Sequence, residues 1–376
     1  QTGADHRLIG KPRSRGDDGM TAAMKELLKE WDGLGVVQGY DHETGTWMFI
    51  ALHDATLGPM VGGCRMKPYP APEDAARDAM RLAQGMTYKW AAIDFPFGGG
   101  KSVLAIPRPL EGEERRGLLL RFGRLLESLH GGYATGVDLG TAPEDMDILA
   151  EASQYVMGHG VSGSGTEDPG PYTALGVLAG IQSSLKATYG STDAAGKTVL
   201  IQGAGDVGAP LARMLAEAGA EILISDIDDV LARRVASELG GGVIPAIETY
   251  ATPCDVFSPC AVGAILNRKT IPQLDCRIVA GSANNQLDRS GDAELLHERG
   301  ILYAPDYVVN AGGAIAFGMM HLGESDEEAM RERVREIENT LDLIFSEAGQ
   351  RGESPVHGAR RVAEDALRRG REKGQV

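Results

Sequence analysis

Two lysines and an aspartate have the types and spacing for amine chemistry. Lys89 lies in "GMTYKWAA" and Lys101 in "GGGKSV", twelve residues apart. Gly100-Lys101-Ser102 resembles the end of a phosphate-binding loop. That loop needs a glycine five residues before Gly100, where this chain has Phe95. Leu82, Met86 and Lys89 fall at i, i+4 and i+7, one face of a helix. Lys89 therefore either snorkels at the edge of an apolar stripe or is held inward for an anion. Lys101 leaves three glycines, where backbone can approach a ligand closely. Two ammonium groups that are close and partly desolvated lower each other's pKa, so one can act as a base near neutral pH while the other stays charged. In "ATGVDLGT", Asp138 sits in a glycine-flanked loop and could carry a proton or hold an amine. Taken singly, each of the three also reads as an ordinary surface charge.

The second constellation is Gly203-Ala204-Gly205-Asp206-Val207-Gly208. It follows the apolar strand "TVLIQ", opens the helix "VGAPLARMLAEAG", and precedes Asp226 at the end of the next strand. That context makes GxGxxG a dinucleotide fingerprint. The first glycine permits the turn, the second admits a pyrophosphate, and the third lets helix and strand pack. Free N–H groups at the helix start favour phosphate. Asp226 can accept from ribose hydroxyls and would repel a 2′-phosphate, which favours NAD over NADP.

The elements that must position these groups fall into two units. Residues 20–157 mix strands and helices; "PEDAARDAMRLAQGMTYK", 112–129 and 143–157 read as helices, with Thr141 opening the last. "GHGVSGSGTEDPGP" (158–171) reads as a linker. Residues 158–354 read as a doubly wound parallel sheet with helices on both faces, that is, a Rossmann domain. The predicted fold class is thus α/β, with a cleft between the two domains. The charged helical tail, about 355–376, is a candidate to pack back on the first domain. Residues 1–19 match no structural pattern and read as a disordered leader, with Met20 a plausible native start.

The chain has 376 residues, 43% hydrophobic and 24% charged, as expected of a globular protein with two cores. A net charge of −16 argues against nucleic acid or an anionic membrane as partner. No apolar run reaches the roughly 20 residues of a membrane span. Four cysteines without a CxxC pair read as reduced thiols of a cytoplasmic protein, and eight scattered histidines give no metal pattern.

The motifs "LGPMVGGCRM", "GMTYKWAA", "GGGKSV", "TGVDLGT", "EDMD", "QGAGDVG", "DVFSPCAVG", "AGSANNQL" and "YAPDYVVNAGG" occur in order. In them the chain resembles the glutamate, leucine, phenylalanine and valine dehydrogenase family, and most of all its leucine–phenylalanine–valine branch. The resemblance implies NAD-dependent, reversible oxidative deamination of an amino acid to a 2-oxo acid and ammonia, by a homo-oligomer. It implies that Lys89 binds the substrate carboxylate beside Gly62 and Gly63, that Lys101 is catalytic, and that Asp138 assists proton transfer. It puts Arg65 near cofactor or substrate, Thr173 at the nicotinamide amide, Ala261 along the cofactor, and Asn284 between nicotinamide and substrate. Val61, Gly136, Ala314 and Phe317 are expected around the substrate side chain. Small residues at 136 and 314 favour an aromatic substrate, phenylalanine first and tryptophan within the same class; leucine or valine is the alternative. Cys64 departs from the threonine common in relatives, with little effect expected. An inactive NAD-binding regulator would have no use for the intact Lys89, Lys101 and Asp138. A hydroxy-acid dehydrogenase would want a catalytic histidine, and His297 and His321 lie in no suggestive context.

Overall fold

The computed structural model describes residues 18–160, 169–324 and 326–374. Most of the expected leader, and residues 161–168 of the expected linker, lie outside the described residues; Asp18 and Gly19 already open a helix.

The first unit is a five-stranded mixed sheet with helices on its faces. Its elements are α1 (Asp18–Glu30), β1 (Gly35–Asp41), β2 (Thr46–Asp54), β3 (Met60–Lys67), α2 (Pro72–Ala92), β4 (Gly98–Ala105), α3 (Gly112–Glu127), β5 (Tyr133–Val137) and α4 (Pro143–Ala150). The strand order is β1-β2-β4-β3-β5. β2 runs antiparallel to β1 and β4, whereas β3 is parallel to both β4 and β5. α2 presents Ala75, Ala76, Ala79, Met80 and Ala83 to one face of the sheet. Such small side chains let the helix axis come close. The opposite face is covered by α3 and α4 through Leu118, Leu119, Phe122, Leu126, Met146 and Leu149.

The triple glycine lies in strand β4, where its neighbours leave no room for side chains. A Cβ on Gly98 would lie 2.2 Å from the Asp54 carbonyl oxygen, and one on Gly99 2.0 Å from Thr87 Oγ1 on α2. On Gly100 it would lie 2.5 Å from the Tyr133 ring. The glycines therefore serve close packing on both faces of the sheet, and Lys101 follows as a buried strand residue. The helix after Asp138 also differs from expectation. It is shorter, ending at Ala150, and Ala142 is its N-cap residue. Asp145 closes the helix start by accepting from the Ala142 amide at 2.8 Å, so the Thr141 hydroxyl is free for the Asp138 loop.

The second unit comprises α5 (Pro169–Tyr189), β6 (Thr198–Gln202), α6 (Gly208–Glu217), β7 (Glu221–Ser225), α7 (Asp229–Leu239), β8 (Gly242–Val243), β9 (Val256–Pro259), β10 (Ile278–Val279), α8 (Asp292–Glu298), β11 (Leu302–Tyr303), α9 (Asp306–Val309), α10 (Gly312–His321), α11 (Glu327–Arg335), α12 (Ile337–Arg351) and α13 (Pro355–Lys373). Its six strands are ordered β11-β10-β9-β6-β7-β8 and all paired in parallel. This is the doubly wound order, reversing at β6 and β9, where such sheets open a ligand crevice. The apolar β6 and β9 are buried along most of their length, as a sheet covered on both faces requires.

α13 begins against the second unit, where His357 Nε2 meets Glu294 Oε1 at 2.8 Å. It ends on the first, where Arg371 pairs with Asp54 at 3.2 Å. α10 also reaches across: a Cβ on its Gly318 would lie 2.7 Å from the Phe95 ring. Among the described residues no helix is long and apolar enough to cross a membrane.

Close packing around β3 and β4 gives a direct stability test. In Gly62→Ala the new Cβ would stand 1.9 Å from the Gly100 carbonyl oxygen, so the substitution should destabilise by roughly 1–3 kcal/mol. Gly85→Ala, in the exposed interior of α2 with nothing within 4 Å, should instead stabilise by about 0.5–1 kcal/mol. Urea midpoints of the two variants against the parent check both signs.

Candidate active site

A cleft of about 710 Å³ runs between the two units. β3, β4, β5 and α2 supply one wall; α5, α9, α10 and the segment after β10 supply the other. Lys101, only 4% exposed, projects from β4 at its floor. Its Nζ donates to Asp138 Oδ2 in a short contact, and Asp138 Oδ1 accepts from Arg65 Nε at 3.0 Å. The Asp138 amide donates to the Thr141 hydroxyl oxygen at 3.0 Å, and that hydroxyl donates to the Cys64 carbonyl at 2.9 Å, which pins the loop to β3. Gly63 makes the approach possible: a Cβ there would lie 2.7 Å from Asp138 Cβ. Burial raises the Asp138 carboxyl pKa, but the Lys101 and Arg65 charges outweigh burial and hold it well below the usual carboxylate range.

Lys89 sits in the last turn of α2 and points inward. Its Nζ donates to Asn310 Oδ1 at 2.8 Å, across the cleft. Asn310 Nδ2 in turn donates to Asn284 Oδ1 at 2.8 Å and to the Ser282 carbonyl at 3.2 Å. Burial pulls the Lys89 pKa down to about 8, Asp306 opposing the shift and Lys101 adding to it. The lowered amine is thus Lys89, which meets a neutral amide, whereas Lys101 meets a carboxylate. Burial also raises the Asp306 carboxyl pKa, with the Gln286 and Tyr307 amides stabilising its charged form.

Val61, Gly136, Met157, Ala314 and Phe317 line an apolar part of the same cleft, and Gly62, Gly63, Arg65, Thr173, Val207 and Asn284 also face it. The Arg65 guanidinium is committed to Asp138 and, through Nη1, to Asp78 at 3.0 Å. A Cβ on Gly136 would make ordinary contact with Met157 at 3.6 Å.

The glycine turn fits a dinucleotide. Gly203 has φ +100°, and a Cβ there would strike Ala261 at 2.9 Å. A Cβ on Gly208 would lie 1.8 Å from the Gly203 carbonyl oxygen, so helix and strand need that glycine. Around Gly205 there is nothing within 4 Å: the middle glycine fronts open space before the start of α6. Asp206 and Val207 complete the turn into that helix. Asp226, just past β7, is oriented by the Ala204 amide at 2.7 Å and the Asp228 amide at 2.8 Å.

Sequence reasoning gave no role to Asp78, Arg81, Asp306 or Asn310. A signal was present for each pair: Asp78 and Arg81 lie at i and i+3 on α2, and Asp306 and Asn310 at i and i+4 in "PDYVVNAGG".

Comparison with known proteins places the chain. Residues 40–155 match the family model described as "Glu/Leu/Phe/Val dehydrogenase, dimerisation domain". Residues 235–373 match "Glutamate/Leucine/Phenylalanine/Valine dehydrogenase". Leucine dehydrogenase of Bacillus cereus is 39% identical, over 93% of this chain and 94% of that protein. Phenylalanine dehydrogenase of Lysinibacillus sphaericus is 39% identical, over 87% of this chain and 86% of that protein. The crystal structure of L-tryptophan dehydrogenase from Nostoc punctiforme superposes with a TM-score of 0.82 at 37% identity, covering 93% of this chain and 99% of that one. The chain belongs to the Glu/Leu/Phe/Val dehydrogenase family, in its leucine–phenylalanine–valine branch. It is an amino acid dehydrogenase, an oxidoreductase acting on CH–NH₂ donors, of a family dependent on NAD or NADP.

The electrostatics of Lys89 can be tested directly. With its pKa drawn down to about 8, acylation by an amine-directed reagent should reach half its limiting rate near pH 8. An ordinary lysine does so near 10.4. Peptide mass spectrometry across a pH series reads the midpoint; a Lys89 value at or above 10 would contradict the burial effect.

Proposed function

We propose that the protein carries out NAD-linked, reversible oxidative deamination of an apolar L-amino acid, with aromatic side chains preferred and phenylalanine first among them. The observation that carries this reading is the convergence of Lys89, Lys101 and Asp138 in one cleft beside an apolar wall and a glycine turn fit for a dinucleotide.

In this reading Lys89, held by Asn310, pairs with the substrate carboxylate, while the backbone at Gly62 and Gly63 passes close to it. That fixes the Cα beside the Lys101–Asp138 pair. The bound nicotinamide dinucleotide supplies the hydride acceptor. Gly203, Gly205, Asp206, Val207 and Gly208 would cradle its pyrophosphate and Asp226 its ribose, with Ala261 alongside and Thr173 and Asn284 at the nicotinamide end. Lys101, once it has released its own proton, takes one from the water that adds to the substrate carbon. Asp138, kept ionised by two cations, accepts and returns the proton at the departing nitrogen. Closure of the cleft strengthens each of these charges by excluding bulk water. The Asp226 carboxylate would repel a 2′-phosphate, which supports NAD over NADP.

The side-chain wall of Val61, Gly136, Met157, Ala314 and Phe317 offers no cation to a second carboxylate, and two of its members are small enough to leave room for a ring. A branched-chain substrate is the second reading, supported by the 39% identity to the leucine dehydrogenase of Bacillus cereus. The family description of residues 40–155 as a dimerisation domain supports a homo-oligomer, and the thiol usage supports a cytoplasmic setting.

The deciding experiment is ammonia-dependent oxidation of NADH and NADPH with the 2-oxo acids of phenylalanine, tryptophan, leucine, valine and glutamate. Phenylpyruvate with NADH should give the highest kcat/KM, and Lys101→Ala should lose at least 10²-fold in turnover while still binding NADH. Equal use of NADPH, or near-normal turnover by the variant, would refute those assignments.

Pocket size has its own test in the double variant Gly136→Ala, Ala314→Val. Filling this wall should cost phenylalanine roughly 1–3 kcal/mol, about 5- to 150-fold in kcat/KM. Leucine should lose little. A phenylalanine-to-leucine ratio that stays put, or rises, would show that these positions do not bound the side chain.

A further inference from the structure

Asp138 and Lys101 do not stand alone. A continuous line of charged and polar side chains leads from them to the other wall of the cleft. Arg65 holds Asp138 through Nε, and its Nη1 donates to Asp78 Oδ2 at 3.0 Å. The same Asp78 oxygen accepts from the Tyr69 hydroxyl at 2.7 Å. The other oxygen, Oδ1, accepts from Arg81 Nη2 at 2.8 Å. Arg81 Nη1 then donates to Asn285 Oδ1 at 3.2 Å, crossing to the unit that carries the glycine turn. Asn285 is held at φ +53°, a left-handed conformation uncommon outside glycine. Arg81 is the exposed end of the line at 54%, against 14% at Asp78, 13% at Arg65, 19% at Asp138 and 5% at Lys101.

We propose that Asp78 and Arg81 are positioning residues for the deamination chemistry, fixing Arg65 against Asp138 and tying that arrangement to Asn285 on the facing domain. The inference rests on the reading of Lys101 and Asp138 as the proton-handling pair. Neither Asp78 nor Arg81 need touch the substrate. Asp78 divides the Arg65 guanidinium between two carboxylates, so Arg65 cannot swing away from Asp138 or neutralise it completely. Arg81 reports the facing domain: its second hydrogen bond exists only while Asn285 is within reach.

Signs follow from charge. Around the Lys101–Asp138 pair stand Arg65 and Cys64 on β3, Lys89, Asp78 and Arg81 on α2, Tyr133 on β5, and Asp306 on α9. Removing the negative charge of Asp78 makes the potential at the site more positive and so favours proton release there. Removing the positive charge of Arg81 does the opposite. A merely structural role for either residue would not move the pH dependence in opposite directions.

The test is the pH profile of kcat/KM for oxidative deamination in the wild type, Asp78→Asn and Arg81→Met. The rising limb should move to lower pH in Asp78→Asn. In Arg81→Met it should move to higher pH by a smaller amount, since Arg81 is the more exposed and the more screened. Asp78→Asn should also lower kcat about tenfold through loss of alignment, while the NADH dissociation constant stays put. Asp78→Glu should recover the wild-type limb. Arg81 lies largely at the surface, so Arg81→Met keeps the test available if Asp78→Asn fails to fold. Limbs that coincide with wild type, or that move in the same direction, overturn the inference while leaving the assigned reaction intact. A wild type with no ammonia-linked activity toward any 2-oxo acid overturns both.

Discussion

An ammonium buried at the floor of a cleft has to be met by a carboxylate, and the contact between Lys101 and Asp138 meets that demand. Much of the first domain is arranged around it. The two residues come from β4 and from the loop after β5, with β3 between those strands. Side chains on β3 would keep them apart, so β3 carries Gly62 and Gly63 at that level. The glycines of β4 do the same for α2 and the Tyr133 ring, and the alanine face of α2 completes the approach. Glycine costs backbone entropy in a strand. Here the cost is offset by bringing opposite charges together in a place of low dielectric, where their attraction is strong.

The second lysine is handled differently. Lys89 faces an amide oxygen rather than a carboxylate, so its charge is only partly compensated and its proton more weakly held. Lys101 has its counter-ion built in, and Lys89 has none in contact among the described residues. This difference supports the proposal that Lys89 binds the substrate carboxylate while Lys101 handles protons. Of the two ammonium groups, burial acts first on Lys89, whereas Lys101 has Asp138 as its partner.

Local patterns made the architecture legible. Strand β6, the glycine turn, α6 and Asp226 follow one another in thirty residues, and each step obeys short-range rules. Strands of two residues, such as β10 and β11, carry too little periodicity to be bounded from sequence. The triple glycine reads from sequence only as a place where backbone can come close to a ligand. That it lies within a strand depends on Thr87, Tyr133 and Asp54, brought to it by the tertiary fold. Thr141 looked like a helix cap, since that is its usual use next to an acidic turn, but its hydroxyl serves the Asp138 loop. Asp78 and Asn310 escaped notice because their partners lie on other elements: Arg65 on β3, and Lys89 across the cleft.

The chain passes between the two units twice, first between Met157 and Pro169 and again along α13. A body held by one tether can swivel about any axis through it. Two tethers confine it to turning about the line that joins them, as a door turns on two pins. Contacts near such a line change little as the angle changes, whereas contacts far from it are made and broken. The packing of Gly318 on Phe95 and Phe97 is apolar and indifferent to small rotations, which suits a fulcrum. The Lys89–Asn310 and Arg81–Asn285 bonds are directional and die within an ångström or so of separation, which suits the swinging edge. A rotation about that line would part the directional contacts at the cleft edge before the apolar packing at Phe95.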